Sequence, residues 1–480
     1  MNHFPWRLAA LRTLGPALAG AALLSACSTP PAYERPGFEL PTAFKEGAAL
    51  EGQNSGVWQS AQPMDSVPDD WWLLFGDAAL NQLVPQALQA NQNLALSVAR
   101  LRAARAAVDA SRAATLPTLG ASASSTRARS GTAVDGSTQI STSHSLGLAA
   151  GWEIDLWGRL SGGVDAARAN AQASADDLAA LRLSVAASVV QTYFSLRAAE
   201  AQDLLLGETL DAYERSWELT RNRYQAGVAS AADVAQAEAQ YKSTQAQRIE
   251  SQTSRAQLEH ALAALLGQAP AGLTLVPTAA LPAPPGVPAQ LPARLLERRP
   301  DIAAAERRVA AANAQIGVAR AAYFPAVTLS ASAGFRGSAL GNLLSAPNLV
   351  WSLGPALAAT LFDGGARAAG VESARAGLDQ AAATYRQTVI TALQEVEDAL
   401  VTGAALEREQ AVQAEAVAAA QRALDVVGNQ YRAGTVAYLN VLSAQATVLA
   451  AQRSLIDVRN RRLAAVATLL KNVAGRWEAL

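Results

Sequence analysis

The sequence of 480 residues has only one cysteine and three histidines. A single cysteine excludes a disulfide framework and any metal site that needs several cysteines. The histidines, His3, His144 and His260, lie far apart in the sequence, so a histidine-based metal centre is not expected. Basic and acidic residues nearly balance, at 39 and 40, which leaves no basic excess for binding a nucleic-acid backbone.

Charged residues are scarce as well, at 16% of the chain, whereas roughly a quarter is usual in soluble domains. Half of the residues are hydrophobic and about a quarter are alanine, which excludes a disordered chain. Beyond the N-terminal segment no uninterrupted run of 18 apolar residues occurs, so we do not expect transmembrane helices. A chain of this kind that spans a membrane would need a closed β-barrel.

Motifs for catalysis are missing too. The sequence has no glycine-rich phosphate loop, no nucleophile elbow and no histidine–carboxylate cluster with metal-ligand spacing. Carboxylates on the predicted helices, such as Glu395, Glu397 and Asp398, are interpreted as solvated faces or lumen lining. We therefore predict that the protein is not an enzyme and needs no cofactor.

The N-terminus has the features of a secretory signal. Arg7 and Arg12 precede an apolar run from Leu14 to Leu24 that is too short to span a bilayer. The run ends at Leu24-Ser25-Ala26-Cys27, which resembles the bacterial lipobox, so we predict cleavage before Cys27 and acylation of this residue with lipid such as palmitate. Ser28 after the cysteine suggests sorting to the outer membrane. A plain signal peptide with a chance cysteine is the alternative.

The remaining chain reads as an internal duplication, with two similar halves offset by about 208 residues. Matching pairs occur in one order: Arg112–Pro117 with Arg320–Pro325, Ile154-Asp155 with Phe362-Asp363, and Tyr224–Val228 with Tyr431–Thr435. We predict a signal peptide (1–26), a lipidated extended segment (27–75), a first repeat (76–269), a proline-rich connector (270–293) and a second repeat (294–475).

Long helices are predicted where proline is absent, between Pro117 and Pro270 and after Pro355. Residues 159–225 and 367–430 each read as one nearly continuous helix, roughly 100 Å long. Each ends at a Tyr-x-Ala-Gly turn, and a second helix returns over residues 231–266 or 437–473. The last helix carries a heptad of apolar residues, which indicates coiled-coil packing: Leu442, Leu449, Ile456, Leu463 and Leu470. A compact helical bundle is the alternative.

Four short segments alternate between apolar and polar residues, a pattern typical of β-strands. They are residues 119–126, 140–154, 327–336 and 349–361, and they predict one hairpin in each half, at about 118–155 and 326–362. Trp152 and Trp351 lie on the apolar faces, as in the aromatic belts of membrane proteins. A soluble sheet would alternate in the same way, but the hydroxyl-rich polar faces favour a wet lumen. Because membrane barrels need at least eight strands, we expect several chains to build one barrel.

The opening of the first repeat resembles a known family. The run Trp71-Trp72-Leu73-Leu74-Phe75-Gly76-Asp77-Ala78-Ala79-Leu80, followed by Asn91-Gln92-Asn93-Leu94, is similar to outer-membrane efflux lipoproteins of the TolC/OprM/NodT family, the outer-membrane factors of tripartite efflux pumps. The resemblance implies a mostly α-helical, internally duplicated chain with a small β part. It implies a homotrimer, in which a twelve-stranded transmembrane β-barrel, four strands from each chain, joins an α-helical barrel of long coiled-coil hairpins.

The resemblance also implies a location and a function. The protein would lie in the bacterial outer membrane, anchored by its lipid and extending into the periplasm, and would passively conduct small molecules such as antibiotics out of the cell. Its partners would be a periplasmic membrane-fusion adaptor and an inner-membrane transporter of the resistance-nodulation-division class. A duct for type I protein secretion and a purely structural coiled-coil lipoprotein are the alternatives, and the lipobox and the opening motif favour small-molecule efflux.

Residues at the periplasmic tip acquire roles through the same resemblance. Gly227 and Gly434 would lie in the tip turns that contact the adaptor, and Tyr431 and Leu439 match positions that constrict the closed aperture.

Two further aperture positions depart from the family pattern. Ser443 stands where relatives carry an acidic residue, and Gln430 stands where an arginine is common. Asp233 could supply negative charge to the aperture instead, or it could be an ordinary acidic residue at the start of a helix.

Overall fold

The computed structural model describes residues 32–37, 44–45, 58–59, 70–129, 140–278, 280–288 and 299–473. The predicted signal peptide, Cys27 and residues 130–139 of the first predicted hairpin lie outside the described residues. A short parallel strand pair joins Trp58–Gln59 to Val287–Pro288, which lies within the predicted connector.

The described chain is mostly helical with a small strand part, as predicted. The first half contains six elements: α1 (Leu80–Ala90), α2 (Gln92–Ala113), β1 (Thr118–Arg129), β2 (Ile140–Ile154), α3 (Arg159–Gln225) and α4 (Ala231–Leu265). The second half contains α5 (Pro300–Ala321), β3 (Ala326–Gly337), β4 (Leu349–Ala358), α6 (Ala366–Arg432) and α7 (Tyr438–Val473). From α2 and α5 onward, both halves run in the order helix, two strands, long helix, returning helix.

The fourth predicted strand is too long. The alternation extends to Leu361, but β4 ends at Ala358, which pairs with Ala326 at the start of β3. The residue before Ala326 is Pro325, which has no backbone N–H to continue the ladder. Leu361 lies beyond the sheet and is 93% exposed.

The four long strands form one antiparallel sheet in the order β1-β2-β3-β4. The register aligns the alternation of all four strands, so that Leu119 lies opposite Ala150, Trp152 opposite Leu329 and Ala333 opposite Trp351. One face of the sheet is therefore apolar, and the other is polar. The edge strands β1 and β4 each pair on one side only within the described part of the chain.

The chain divides into two compact units. The first holds the sheet and the neighbouring helical segments, within residues 100–175 and 304–386, together with residues 32–37. The second holds α1, α4, α7 and the rest of the long helices, in the described parts of residues 38–99, 176–303 and 387–473.

The core of the second unit explains the opening motif of the sequence. Trp71 is fully buried, and the Phe75 ring lies 4.9 Å from the ring of Phe194 on α3. The Asp77 carboxylate caps α1 by accepting from the backbone N–H groups of Ala79 and Leu80, and Tyr193 Oη donates to its other oxygen at 2.8 Å. The predicted heptad side chains on α7 are buried or half-buried.

One described helix, α3, has an 18-residue window apolar enough to cross a membrane by length and composition. Of that window, 44% is buried within the chain, and the core helices of soluble proteins pass the same test. The window is therefore weak evidence for a membrane span.

Candidate functional site: an amphipathic sheet and a helical tip

The apolar face of the sheet is exposed on the single chain. It consists of five rows that cross the strands, from Ile154–Val327–Leu357 at the helix end to Ala123–Leu146–Phe335–Leu349 near the loops. Leu119, Trp351 and Leu357 are 73%, 74% and 70% exposed. A contiguous apolar surface of this kind marks contact with a membrane or with another protein.

The height of this face fits a membrane. Ile154 and Leu146 mark its ends on β2, and the eight residue steps from one to the other extend about 27 Å at ~3.4 Å per residue. A strand tilt of about 40° reduces this to roughly 21 Å, close to the ~25 Å apolar band of outer-membrane barrels.

The opposite face of the sheet carries small hydroxyl side chains. Ser124 and Ser145 form a hydroxyl pair at 2.8 Å across β1 and β2, and Ser332 and Ser352 form another at 2.8 Å across β3 and β4. These groups bond to water or to each other and leave space above the sheet. The face therefore suits the wall of an aqueous lumen.

The strands join the long helices at two aspartate caps in corresponding positions of the two halves. Asp155 accepts from the backbone N–H groups of Leu160 and Ser161, and Asp363 accepts from those of Gly365 and Arg367. Although desolvation acts in the opposite direction, these hydrogen bonds hold the pKa of Asp155 below its usual value. At the same junction the rings of Trp157 and Phe324 stack, with 4.8 Å between their centres.

The tip turns are two helix caps with the same geometry. Gly227 and Gly434 both have φ of +76°, in the left-handed region that favours glycine. Val228 N–H donates to Arg223 O, five residues back, and Thr435 N–H donates to Gln430 O in the same way. This is the Schellman pattern, which ends a helix and reverses the chain. The predicted turns are confirmed, whereas their contact with an adaptor stays a prediction.

An aromatic cluster near these turns connects the two helical hairpins. The Arg223 guanidinium on α3 lies 4.8 Å from the centre of the Tyr431 ring on α6, and the Tyr431 ring lies 5.5 Å from that of Tyr438 on α7. The hydroxyls of Tyr438 and Ser216, the latter on α3, are 3.0 Å apart. Tyr438 is buried, and burial raises the pKa of its hydroxyl. Sequence reasoning found Tyr431 but missed Arg223, Ser216 and Tyr438.

The other predicted aperture residues have different surroundings. Leu439 is 55% exposed, and Ser443 is also exposed. The Asp233 carboxylate accepts from the backbone N–H of Ser230, whose hydroxyl accepts in return from Asp233 N–H at 3.1 Å, so Asp233 forms a capping box at the start of α4. This accounts for Asp233 as a helix-start acid, and a charge role at the aperture stays a prediction.

A buried charge network, which sequence reasoning missed, holds the connector against the hairpin of α3 and α4. The Glu200 carboxylate is 2% exposed and accepts from Arg197 at 2.6 Å and from Arg255 at 3.1 Å. It also accepts from the backbone N–H of Thr278 in the connector at 2.9 Å, while Arg197 donates to Val276 O. Each buried charge therefore has a partner, as a low-dielectric site requires.

The segment 32–37 lies along two helices of the first unit. Tyr33 Oη donates to Glu306 on α5 at 3.3 Å, and Arg35 Nε donates to the hydroxyl of Tyr385 on α6 at 3.1 Å. Burial and the Glu306 carboxylate raise the pKa of Tyr33 to about 12. These contacts fix the chain six residues after the predicted lipidation site.

In the part of the chain that the structure describes, no group of three His, Cys, Asp or Glu side chains is placed to hold a metal ion. The features described above are instead the two faces of the sheet, one apolar and one polar, and the helical tip.

Comparison with known proteins gives consistent matches. The sequence profile of the family described as outer membrane efflux protein matches residues 83–268 and again residues 291–475. OprJ, an outer membrane protein of Pseudomonas aeruginosa, is 33% identical over 473 residues, 96% of this chain and 95% of OprJ. TtgC, a probable efflux pump outer membrane protein of Pseudomonas putida, is 32% identical over 462 residues, 95% of this chain and 94% of TtgC. The solved structure of the outer-membrane channel OprN is similar with a TM-score of 0.85 at 31% identity, covering 94% of this chain and 100% of that one.

Proposed function

The chain belongs to the outer membrane efflux protein family, and on this basis we propose that three copies of it form the exit duct of a tripartite efflux pump. Its location is the outer membrane and its function is efflux. The family is one of channels rather than enzymes. The observation that carries the proposal is the amphipathic sheet with two open edges.

The open edges support closure by other copies of the chain. Unpaired edge strands present rows of free N–H and C=O groups, which cannot remain unpaired in hydrocarbon. The edge strands β1 and β4 can satisfy each other only between chains, since β2 and β3 separate them in one sheet. Three copies give twelve strands, above the minimum of about eight for a membrane barrel. The twofold match of the family profile and the repeated order of elements support an internal duplication.

The segment 32–37 supports a lipid anchor on Cys27. The six residues from Cys27 to Tyr33 span at most ~22 Å when extended. From Glu306, which Tyr33 contacts, to the end of α5 at Ala321 the helix rises about 22 Å. A lipid on Cys27 can therefore reach the level at which β3 begins, where the membrane surface would lie.

The tip cluster supports a gate at the far end of the long helices. Separation of the α3–α4 hairpin from the α6–α7 hairpin would break the contact between Arg223 and Tyr431 and that between Ser216 and Tyr438. A periplasmic adaptor that binds the separated state better would hold the duct open. The inner-membrane partner would supply the energy, since a water-filled duct needs none of its own.

Small-molecule cargo is favoured over secreted protein because the relative TtgC is named as part of an efflux pump. The proposal is tested with the full chain extracted in detergent. We expect a particle with the mass of three chains and discrete single-channel currents in planar bilayers. Changing both Tyr431 and Leu439 to alanine should increase the closed-state current. A compact, water-soluble monomer without channel activity would contradict the proposal.

A further inference from the structure

Charge is distributed unevenly along the described strands. All three arginines lie near the loop end of the sheet, Arg127 and Arg129 on β1 and Arg336 on β3. The one acidic residue of these strands, Glu153, lies at the helix end of β2, where Arg159 pairs with it at 2.7 Å. The loop end of the sheet therefore carries a net positive charge.

The three arginines lie on different faces. Arg127 and Arg129 follow Leu119 by eight and ten positions on the same unbroken strand, so they lie on its face of the sheet, the apolar one. Arg127 pairs with Thr142, and Arg129 pairs with Ile140. Both are exposed. Arg336 pairs with Ser145 and therefore lies on the polar face at a similar height.

The position of Arg127 relative to the apolar face matches a membrane surface. Ala123 lies in the last apolar row, and Arg127 is four residues farther along β1, a distance of about 14 Å. With a tilt of about 40° this is roughly 10 Å above the apolar band. The polar headgroup layer is about 5–7 Å thick on each side of a bilayer. A long arginine side chain that bends back toward the band would place its guanidinium at the depth of the lipid phosphates.

We propose that Arg127 binds phosphate groups of membrane lipids around the outer rim of the barrel, and that the charge of Arg129, about 5 Å farther from the apolar band, assists it. The inference rests on the proposed function, which turns the apolar face toward lipid and the loops toward the outside. A guanidinium presents paired N–H donors that match two phosphate oxygens, and such charge-assisted bonds are stronger than neutral ones. The predicted aqueous lumen contains Arg336 instead, so the two faces of one sheet use arginine differently. The ligand is a phosphorylated lipid, held by its acyl chains against the band and by its phosphates at Arg127, with the charge of Arg129 nearby.

The test is a titration of the full chain in detergent with diphosphoryl lipid A, followed by native mass spectrometry. The double variant Arg127→Gln/Arg129→Gln should bind this lipid at least tenfold more weakly than the wild type, because each chain loses the phosphate contact of Arg127 and the supporting charge of Arg129. Binding by the wild type should also weaken with salt. A phosphate-free glycolipid, monogalactosyl diacylglycerol, should bind both proteins alike.

The matched control is Arg336→Gln, which removes one arginine of similar height from the opposite face. It should bind the lipid within about twofold of wild type, because its side chain does not face the membrane. If the double variant does not assemble, Arg127→Lys/Arg129→Lys keeps the charges but loses the paired donors, and it should bind several-fold more weakly.

The outcomes separate this inference from the proposed function. Unchanged lipid binding by a double variant that still conducts in planar bilayers would overturn the inference and leave the duct intact. Weaker binding by Arg336→Gln instead of by the double variant would overturn both, because the sheet would then face lipid with its polar side. A wild-type preparation that binds the lipid but carries no current would contradict the duct alone.

Discussion

Replacing Tyr431 with alanine is expected to favour opening of the helical tip. Tyr431 on α6 contacts Arg223 on α3 across the two hairpins, with the guanidinium 4.8 Å from the ring centre. Because the proposed opening separates the hairpins, this contact would stabilise only the closed state. Its partner Tyr438 lies in the same hairpin as Tyr431, so the contact between the two rings persists on opening.

The magnitude follows from the type of contact. An arginine over a partly exposed tyrosine ring contributes about 1 kcal/mol. If the three chains of the proposed trimer open together, the loss is about 3 kcal/mol, which corresponds to a roughly 150-fold shift of the equilibrium toward the open state. Tyr431→Phe keeps the ring and should remain close to wild type.

The measurement is the open probability of single channels in planar bilayers. Arg223→Gln should raise it as Tyr431→Ala does, and the double variant should exceed neither single variant, because both remove one contact. An open probability of Tyr431→Ala within about threefold of wild type, far below the shift expected from the lost contacts, would refute the reasoning. Equal effects of the alanine and phenylalanine variants would refute it as well.

Three further predictions concern stability. Glu200→Gln leaves Arg197 buried without its charge partner, so we expect the free energy of unfolding to fall by about 3 kcal/mol and limited proteolysis near Leu275–Thr278 to become much faster. The control is Glu208→Gln at an exposed position. Equal cleavage rates of the two variants would contradict the expectation. Gly434→Ala places an alanine in the left-handed conformation, which should lower the free energy of unfolding by about 1–2 kcal/mol. The expected result is loss of helical signal at a lower temperature, measured by circular dichroism. Asp155→Ala should cost about 1 kcal/mol at neutral pH. Because the folded pKa of Asp155 is lowered, this cap stabilises the protein above the unfolded pKa of about 4 and is lost as the pH falls through the folded value, so the variant and wild type should converge in acid.

Regular elements were predictable because their periodicity is local. Residues 159–225 and 231–266 match α3 and α4 to within one residue, since proline and glycine mark the ends of uniform helical sequence. The two hairpins and the faces of their strands were predictable, because period two over about ten residues fixes which side chains share a face. The pairing of β2 with β3, which joins the hairpins into one sheet, does not follow from that period. The end of β4 was not, because it depends on Pro325, the residue just before the partner strand β3, rather than on the sequence of β4.

The contacts between distant residues were not predictable from one sequence. Glu200 and Arg255 look like ordinary helical charges, and only the antiparallel packing of α3 on α4 brings them together beneath the connector. The same holds for Arg223 and Tyr438, which surround Tyr431 because two hairpins meet. Side-chain periodicity carries no information on which face of one hairpin meets the other.

The central claim, that the open edges of the sheet close between chains, is tested most directly by disulfide cross-linking. Each double variant carries a cysteine in place of Ala121 on β1 and a second one in place of Trp351, Leu353 or Leu357 on β4. The three pairs sample different registers between neighbouring chains. Membranes that contain each variant are treated with an oxidant to form disulfides. Strand neighbours place Cα atoms within the ~4.4–6.8 Å that a disulfide requires. We predict that at least one pair gives a ladder on denaturing gels that stops at three chains. Monomer alone for every pair, or a ladder that continues beyond three, would contradict the closed trimeric barrel.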